Sequence, residues 1–379
     1  MLSFKGCRKA SVSLTVLLFV AGLLVGGMVI LFITFNEITA LEREVAGLQS
    51  QLSTLQGSQN VTSQNITIYQ NGTALADIYS NVRDSIVLVQ GSTADGEVQG
   101  SGFIYAYADR EVVITNYHVV QGTSSLSITF SDGNGYSGTI LGTDPYADIA
   151  VLSVDDAPAS QFKPLEIVSS STLRVGETVI AIGNPYGLVG SLTTGVVSAL
   201  GRTITEDYAG AFSIANIIQT STPINPGNSG GPLLNAVGNV VGITTAIVSD
   251  SQGLGFAIPS NTILRELSAL ITTGTYSGHS YLGVTGQDMS YSMAQEIGSS
   301  VTYGWRIATV VAGGPSDGKL NPDDIIVALN GTAIRNNDDL ASYLEEKTLP
   351  GEILTITAFR GSQTTDVDVV LGTRPAPAA

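Results

Sequence analysis

The sequence predicts a mainly β protein: two packed β-barrels closed by a short helix, then a smaller β unit, all behind an apolar N-terminal segment. Three observations carry this. From about Ala76 to Ala257 apolar runs alternate with turns, glycines are frequent and helical periods are few, which suits two packed barrels with a cleft between them. A Gly/Ser-rich stretch, Tyr276-Ser277-Gly278-His279-Ser280, reads as a linker to a last block, Tyr281 to about Gly372. Ala10 to Phe35 is a 26-residue apolar run with no charged residue.

That run is long enough to cross a hydrocarbon core of ~30 Å with some tilt. Lys5, Arg8 and Lys9 precede it, and Glu37, Glu42 and Glu44 follow with only Arg43, so the N-terminus is expected to stay cytoplasmic. Its length, and the lack of a clean small-residue cleavage site, favour a retained anchor over a cleaved signal peptide. Residues 1–36 are read as cytoplasmic N-terminus and transmembrane anchor, and residues 37–75 as a stalk. In the stalk Ile38, Leu41, Val45, Leu48, Leu52 and Leu55 alternate spacings of three and four, the seam of a short coiled coil. A monomeric amphipathic extension of the membrane helix fits the same pattern. Asn60, Asn65, Asn71 and, later, Asn330 each open an Asn-x-Thr triplet, a glycosylation acceptor pattern.

Residues 76–273 are assigned to the double barrel. It ends in a helix from Ile263 to Ile271 that Ser260 is expected to cap, with positions 263, 264, 267, 270 and 271 on one face and Gly274 beyond its end. Residues 280–373 are assigned to the last unit, expected to stand apart behind its linker. The only cysteine, Cys7, cannot make an internal disulfide, so the fold must rest on packing.

The chemistry concentrates in Thr222-Pro223-Ile224-Asn225-Pro226-Gly227-Asn228-Ser229-Gly230-Gly231-Pro232-Leu233-Leu234. Two prolines keep this turn out of helix, and Gly227, Gly230 and Gly231 are expected to let its backbone approach a substrate. With glycine at 227, the amides of Gly227 and Ser229 can point at one spot, the geometry of an oxyanion hole. A serine hydroxyl is a poor nucleophile alone and needs a base and an orienting acid. The chain has only two histidines. His118 follows the apolar segment Glu111 to Tyr117, where a strand leaves the core, whereas His279 lies in the linker-like stretch. The orienting acid is Asp148, which opens the apolar run Ile149-Ala150-Val151-Leu152; Asp144 reads as a loop cap.

Ser229 also satisfies Gly-x-Ser-x-Gly, which raises an α/β-hydrolase alternative with Asp250 and His279 as partners. Its context argues otherwise, because Pro232 follows closely and Leu233 to Ile247 alternates like strands without a helical period. The order His118, Asp148, Ser229 is that of the double-barrel serine proteases.

Four segments now carry a resemblance: Thr115-Asn116-Tyr117-His118-Val119-Val120, Asp144 to Leu152, Ala181-Ile182-Gly183-Asn184-Pro185-Tyr186-Gly187, and Ile224 to Leu233, with Gly253 to Pro259 as a fifth. In this order they resemble the signature blocks of the HtrA (Deg) family. The resemblance implies a chymotrypsin-like double barrel and ATP-independent serine endopeptidases that degrade misfolded extracytoplasmic proteins, usually as trimers. It carries over His118 as general base, Asp148 as its orienter, Ser229 as nucleophile, and the Gly227 and Ser229 amides as oxyanion donors. The alternative is a proteolytically weak chaperone or binding scaffold of the same fold. No cofactor and no metal are expected.

In trypsin-like relatives a carboxylate six residues before the serine selects Lys or Arg. Here that position is Pro223, and Ser221 and Thr222 beside it carry no charge, so a substrate ammonium would be buried unpaired. Small or medium aliphatic residues are the expected cleavage sites.

Tyr281-Leu282-Gly283-Val284 resembles the carboxylate-binding loop of a PDZ domain, and Leu320 to Gly331 resembles its most recognisable strand. Gly283 would let backbone amides meet a terminal carboxylate while a peptide adds a strand, with Leu340 and Leu344 walling the groove from a helix around Asp339 to Glu346. Many relatives carry Arg just before the loop, where this chain has His279-Ser280; that weakens the expected capture of a carboxylate. Hydrophobic C-termini of unfolded polypeptides are the expected ligands. The 16 basic and 32 acidic residues leave a net charge of −16, which disfavours nucleic acid or anionic lipid as partners. The expected location is the cell membrane, single-pass, with protease and PDZ units extracytoplasmic.

Overall fold

The computed structural model describes residues 72–94, 96–184, 190–205, 213–225, 227–245 and 254–376. The anchor, the stalk seam, the stalk Asn-x-Thr triplets, Pro226 and Asp250 lie outside the described residues. Among the described residues no helix is long and apolar enough to cross a membrane.

Helix α1 (Gly72–Val82) leads into a first closed barrel. Its strands are β1 (Ile86–Thr93), β2 (Gly96–Tyr107), β3 (Arg110–Thr115), β4 (Ser125–Thr129), β5 (Gly135–Asp144) and β6 (Ile149–Val154), with the single-turn helix α2 (Tyr117–Val120) after β3. They run in the order β1-β2-β3-β6-β5-β4, and β1 pairs with β4 to close the ring. The second barrel repeats this plan with β7 (Thr178–Gly183), β8 (Ser191–Thr205), β9 (Ser213–Thr220), β10 (Pro232–Asn235), β11 (Val240–Thr245) and β12 (Gly255–Pro259), in the order β10-β11-β12-β9-β8-β7.

Alternation along these strands fills three apolar volumes. Val89, Ile104, Val113, Ile128 and Leu152 pack inside the first barrel, and Val179, Val197, Ile218, Leu233 and Val241 inside the second. The opposite faces, with Phe103, Ile114, Ile149, Ile182, Leu234 and Ile243, meet between the barrels. Strands buried on both faces read as continuous apolar runs, which is why β3, β6, β7 and β11 stand out in the sequence.

Helix α3 (Ser260–Thr273) seals this central core with Ile263, Leu267 and Leu270. Gly274 ends it in the left-handed conformation, as expected at a C-cap. Ser260 does not cap it: its hydroxyl donates to the Val168 carbonyl at 2.6 Å and Pro259 takes the cap position. Leu264 points to solvent, leaving the apolar stripe narrower than its spacing suggests.

The C-terminal unit pairs β13 (Ser280–Tyr281) with β20 (Gly372–Thr373). Beside them lies a sheet of β14 (Val284–Asp288), β15 (Trp305–Val310), β16 (Ile325–Leu329), β18 (Ile353–Arg360) and β19 (Gln363–Val370), in that order, with β17 (Thr332–Ala333) paired to β16. Helices α4 (Tyr291–Ile297) and α5 (Asn337–Lys347) complete it around Trp305, Ile307, Ile326, Leu340, Leu354 and Val369. Asn336 caps α5 by accepting the Asp339 N–H at 2.9 Å.

This unit does not stand apart. Residues 73–379 cluster as one compact body, and α5 lies against β8 and β9. Asp338 accepts from Arg202 at 3.0 Å and from the Thr203 N–H at 2.8 Å, and Ser342 donates to the Gly201 carbonyl at 2.9 Å. The Gly/Ser-rich stretch is correspondingly no free linker, since His279 is buried at its end.

Candidate active site

β3 ends at Thr115 and the chain turns through Asn116 into α2, which lifts His118 out of the first barrel with its side chain 20% exposed. β5 and β6 are joined by the turn from Asp144 to Ile149, which brings the fully buried Asp148 beside His118. His118 Nδ1 lies 3.0 Å from Oδ1 and 2.9 Å from Oδ2 of Asp148, and the His118 backbone N–H donates to Oδ1 at 2.9 Å. Facing a carboxylate, Nδ1 carries the proton, so Nε2 of the neutral ring is the acceptor. Asp148 itself adopts a left-handed backbone, φ 52°, rare for a non-glycine residue and costing on the order of 1 kcal/mol. Its carbonyl pins that conformation by accepting from the Asn116 side chain at 2.9 Å and the Tyr117 N–H at 3.2 Å.

Ser229 sits in the turn between β9 and β10 and is 5% exposed. Ser101 of β2 fastens this turn across the barrels: its N–H donates to the Ser229 carbonyl at 2.7 Å and its hydroxyl to the Gly227 carbonyl at 2.5 Å. The same hydroxyl accepts the Asn184 N–H at 2.7 Å. A Cβ on Gly100 would meet the Val119 side chain on one side and the Ser229 carbonyl on the other, so the serine turn borders α2 and its histidine.

Two neighbouring threonines at the end of β11 serve the two halves of the site. Thr244 donates to the carbonyls of Asn228 and Gly231, at 2.6 and 3.0 Å, holding the serine turn. Thr245 donates to Asp148 Oδ2 at 3.2 Å, tying the second barrel to the acid of the first. Ser101, Thr244 and Thr245 escape sequence reasoning; the available signal is a hydroxyl in otherwise apolar strands, Gly100-Ser101-Gly102-Phe103 and Val240 to Thr245.

Gly230 and Gly231 make close approaches to the protein's own backbone. A Cβ on Gly230 would lie 2.0 Å from the Ser101 carbonyl oxygen, and one on Gly231 would lie 2.2 Å from that of Ile182. They let the serine turn wedge between the barrels. Gly227, at φ 96°, takes the backbone conformation that a non-glycine residue resists.

Asp144, expected to cap its loop, does so by accepting the Tyr146 N–H at 2.8 Å. It also binds His279, whose Nε2 lies 2.6 Å from Oδ2 while Nδ1 lies 3.0 Å from Oε2 of Glu345. Both His279 nitrogens are thus engaged by carboxylates of this junction, which removes it as a base for Ser229 and with it the hydrolase alternative.

In the C-terminal unit, Tyr281, Leu282, Gly283, Val284, Leu340 and Leu344 line one groove. Arg374 joins them there, a cation that the sequence around residues 279–280 does not show. The β13–β20 pairing brings it in: Ser280 faces Thr373, and the Arg374 N–H donates to the His279 carbonyl at 2.9 Å.

Comparison with known proteins bears on this arrangement. A family profile described as trypsin-like peptidase domain matches residues 100–243, and one described as PDZ domain matches residues 280–371. HhoB of Synechocystis sp. is 39% identical over 287 residues, covering 73% of this chain and 66% of that protein. A Chlamydia trachomatis protein named "Probable periplasmic serine endoprotease DegP-like" is 37% identical over 278 residues, covering 72% of this chain and 54% of its own length. The chain thus spans between about half and two thirds of these two relatives. It covers 73% of "Serine protease Do-like HtrB" of Bacillus subtilis, at 34% identity over 342 residues and 83% of this chain. Among solved structures, the HtrA-type protease AlgW with tripeptide superposes with a TM-score of 0.65 at 30% identity, covering 80% of this chain and 98% of that one. With two barrels, a PDZ-like sheet and this degree of identity, the chain belongs to the HtrA family of trypsin-like serine proteases that carry a PDZ domain.

Proposed function

We propose that the chain is a serine endopeptidase working outside the cytoplasm on unfolded or damaged polypeptides. The observation that carries this is the His118–Asp148 pair held beside the Ser229 turn at the junction of two barrels. In this reading Ser229 Oγ attacks the scissile carbonyl while His118 Nε2 takes its proton. The oxyanion forms against the Gly227 and Ser229 N–H groups. His118 then gives the proton to the leaving amine, and a water, deprotonated by the same nitrogen, hydrolyses the acyl-enzyme. Asp148 fixes the ring and stabilises the imidazolium formed in both steps. No step calls for a cofactor.

Cleavage after small or medium aliphatic residues follows from the chain before the serine. Thr220, Ser221 and Thr222 are engaged with one another and with β8, and Thr193 donates to the Pro223 carbonyl. None of these residues offers an acid to a basic side chain. The groove at Tyr281 to Val284 is assigned to hydrophobic C-termini, with a homotrimer as the working assembly and residues 10–35 as its single membrane anchor. A periplasmic relative supports the extracytoplasmic placement.

Casein digestion measured beside fluorophosphonate labelling of Ser229 tests the activity and separates it from a chaperone of the same fold. Digestion abolished in Ser229→Ala is the expected result, and a fold that binds casein without cutting it would leave the scaffold reading. Light scattering on a soluble fragment starting at residue 76 tests the assembly: a trimer is expected. A monomer that becomes a trimer when residues 38–75 are restored would give that role to the coil.

A further inference from the structure

The chain buries a second histidine more deeply than the one assigned to catalysis. His279 is 3% exposed and lies where the double barrel passes into the C-terminal unit. Its two ring nitrogens bind Asp144 of β5 and Glu345 of α5, so both carry protons and the ring is an imidazolium. Arg265 of α3 bonds Glu266 at 2.7 Å and both the carboxylate and the backbone carbonyl of Glu345. Tyr146 and Tyr276 set their rings edge-on against His279, with centroids at 5.3 and 5.0 Å, and the Arg374 guanidinium stacks 4.2 Å over Tyr146. His279, Arg265 and Arg374 thus face Asp144, Glu266 and Glu345 at a junction where Asp144, Glu266 and His279 are buried, and burial beside Asp144 holds the Glu266 carboxyl well above its usual range.

Asp144, Glu266 and His279 also bring their ligand atoms within 4.8 Å of one another, the spacing of a cation site. The cluster fits an ion network better. Two atoms each ~2.1 Å from one tetrahedral metal stand more than ~3 Å apart, whereas Nε2 and Oδ2 are 2.6 Å apart.

What this network holds is the turn that presents Asp148. Asp144 is its first residue, and the Asp148 N–H reaches back to the Pro145 carbonyl at 3.4 Å. Asp148 sits at positive φ, a conformation that persists only when its surroundings over-determine it. From one end Asn116, Tyr117 and Thr245 fix it; from the other, the anchor is Asp144, and the partner of Asp144 is His279. The C-terminal side of β5 is seated on the same junction, where the Thr143 N–H donates to the Gly274 carbonyl at 3.1 Å.

We propose that His279 is a positioning residue for acyl transfer: by clamping Asp144 between the barrels and Glu345 of the PDZ-like unit, it holds the turn that aims Asp148 at His118. The proposal rests on reading His118, Asp148 and Ser229 as the triad. It makes the seating of the C-terminal unit a condition of catalytic geometry, through Glu345, which also lines the groove at Tyr281 to Val284.

The test uses the full chain and four variants. In His279→Phe the ring stays and both hydrogen bonds go. The rate of fluorophosphonate labelling of Ser229, and kcat for an aliphatic peptide, should fall by about ten- to a hundred-fold, the range expected of a misplacement on the order of 1 Å. KM should stay within about two-fold. The acidic limb of the pH–kcat/KM profile should move to lower pH, because a displaced Asp148 no longer stabilises the His118 imidazolium; a purely structural role would leave that limb in place. Asp144→Asn combined with His279→Gln restores a neutral hydrogen-bonded pair, and should recover most of the labelling rate. Labelling, kcat and pH limb at wild-type values in His279→Phe overturn the proposal, as does a double variant no faster than His279→Phe. If His279→Phe does not fold, Glu345→Gln carries the same test with the same readouts. Ser229→Ala separates the two levels: if it still cleaves casein, the triad reading fails and takes the proposal with it, whereas an inactive Ser229→Ala beside an unaffected His279→Phe sinks the positioning role alone.

Discussion

His118 and Asp148 are joined three times: Nδ1 lies within hydrogen-bond distance of both carboxylate oxygens, and the His118 backbone N–H donates to one of them. The acid therefore fixes the position of the histidine main chain as well as the tautomer of its ring. Replacing the carboxylate by an amide presents an N–H where an acceptor is needed and turns the ring to the wrong tautomer.

Asp148→Asn, His118→Ala and Ser229→Ala are each expected to lower kcat by ~10⁴-fold or more, and the triple variant by little beyond the worst single one, because the triad proposed for them acts as a unit. Steady-state cleavage of casein or an aliphatic peptide measures this. Additive losses would mean that the residues act separately.

Gly230→Ala is expected to be severe although the added group is one methyl. Gly230 is at φ 85°, and its new Cβ would meet the Ser101 carbonyl oxygen and the Thr115 hydroxyl, at 2.0 and 2.3 Å, inside the bond by which Thr115 of β3 donates to Ser101 of β2. Strain and overpacking together should cost more than ~2 kcal/mol. Urea unfolding should show a lower midpoint at unchanged slope, with labelling of Ser229 greatly slowed. Gly122→Ala, also at positive φ but in open space, isolates the backbone cost and should lose ~1 kcal/mol.

How much of this was legible in the sequence follows from which interactions are local. Buried strands announce themselves by composition, so β3, β6, β7 and β11 were readable, and so was the pairing of His118 with Asp148. The supports were not. Ser101 reaches Gly227 across 126 positions and Thr245 reaches Asp148 across 97, and hydroxyls in strands carry no mark of their partner. His279 misled for the converse reason: glycine and serine around it describe a segment's backbone freedom, while its burial is decided by Asp144 and Glu345, 135 and 66 positions away.

The junction cluster should make stability depend on pH in a defined window. Burial opposes the charge on His279, but its bonds to Asp144 and Glu345 outweigh that and raise its pKa from 6.5 to about 10. A raised folded-state pKa gives stability that is complete below pH 6.5 and is lost as pH rises through about 10. Glu345 moves the other way: burial pushes its carboxyl up, yet the bond to His279 and the charges of His279 and Arg265 take it down from 4.5 to about 2. Its contribution is present above pH 4.5 and lost as pH falls through about 2. Glu266, buried beside Asp144, has its carboxyl raised well above 4.5, so its contribution also falls as pH rises above 4.5. The stability difference between the wild type and Asp144→Asn/His279→Gln should therefore fall steadily from about pH 5 to pH 10. Urea midpoints across that range measure it, and a difference that stays constant to pH 10 would show that His279 is not charged in the fold.

Arg374 changes what the C-terminal groove is expected to do. The sequence places no cation just before the loop Tyr281 to Val284, which argues for weak capture of a chain end. Across the β13–β20 pair, however, Arg374 lines the same groove as Tyr281, Gly283, Leu340 and Leu344. Its guanidinium stacks on Tyr146 and donates to the Ser213 carbonyl at 3.1 Å, which holds the charge at the groove at little cost in side-chain freedom. A peptide laid against β14 gains backbone hydrogen bonds regardless of its terminus, so the terminus itself is read by comparing a free acid with its amide. A charge-assisted bond to the carboxylate is worth roughly 1.5–3 kcal/mol, or about ten-fold and upward in affinity. In calorimetry on the Ser229→Ala protein, a hydrophobic peptide with a free C-terminus should bind at least ten-fold tighter than its amide. Arg374→Ala should lose most of that preference while the amide, which never used the charge, keeps its affinity. Equal binding of acid and amide by the Arg374-containing protein would mean that the loop does not read a carboxylate, whatever else the groove accepts.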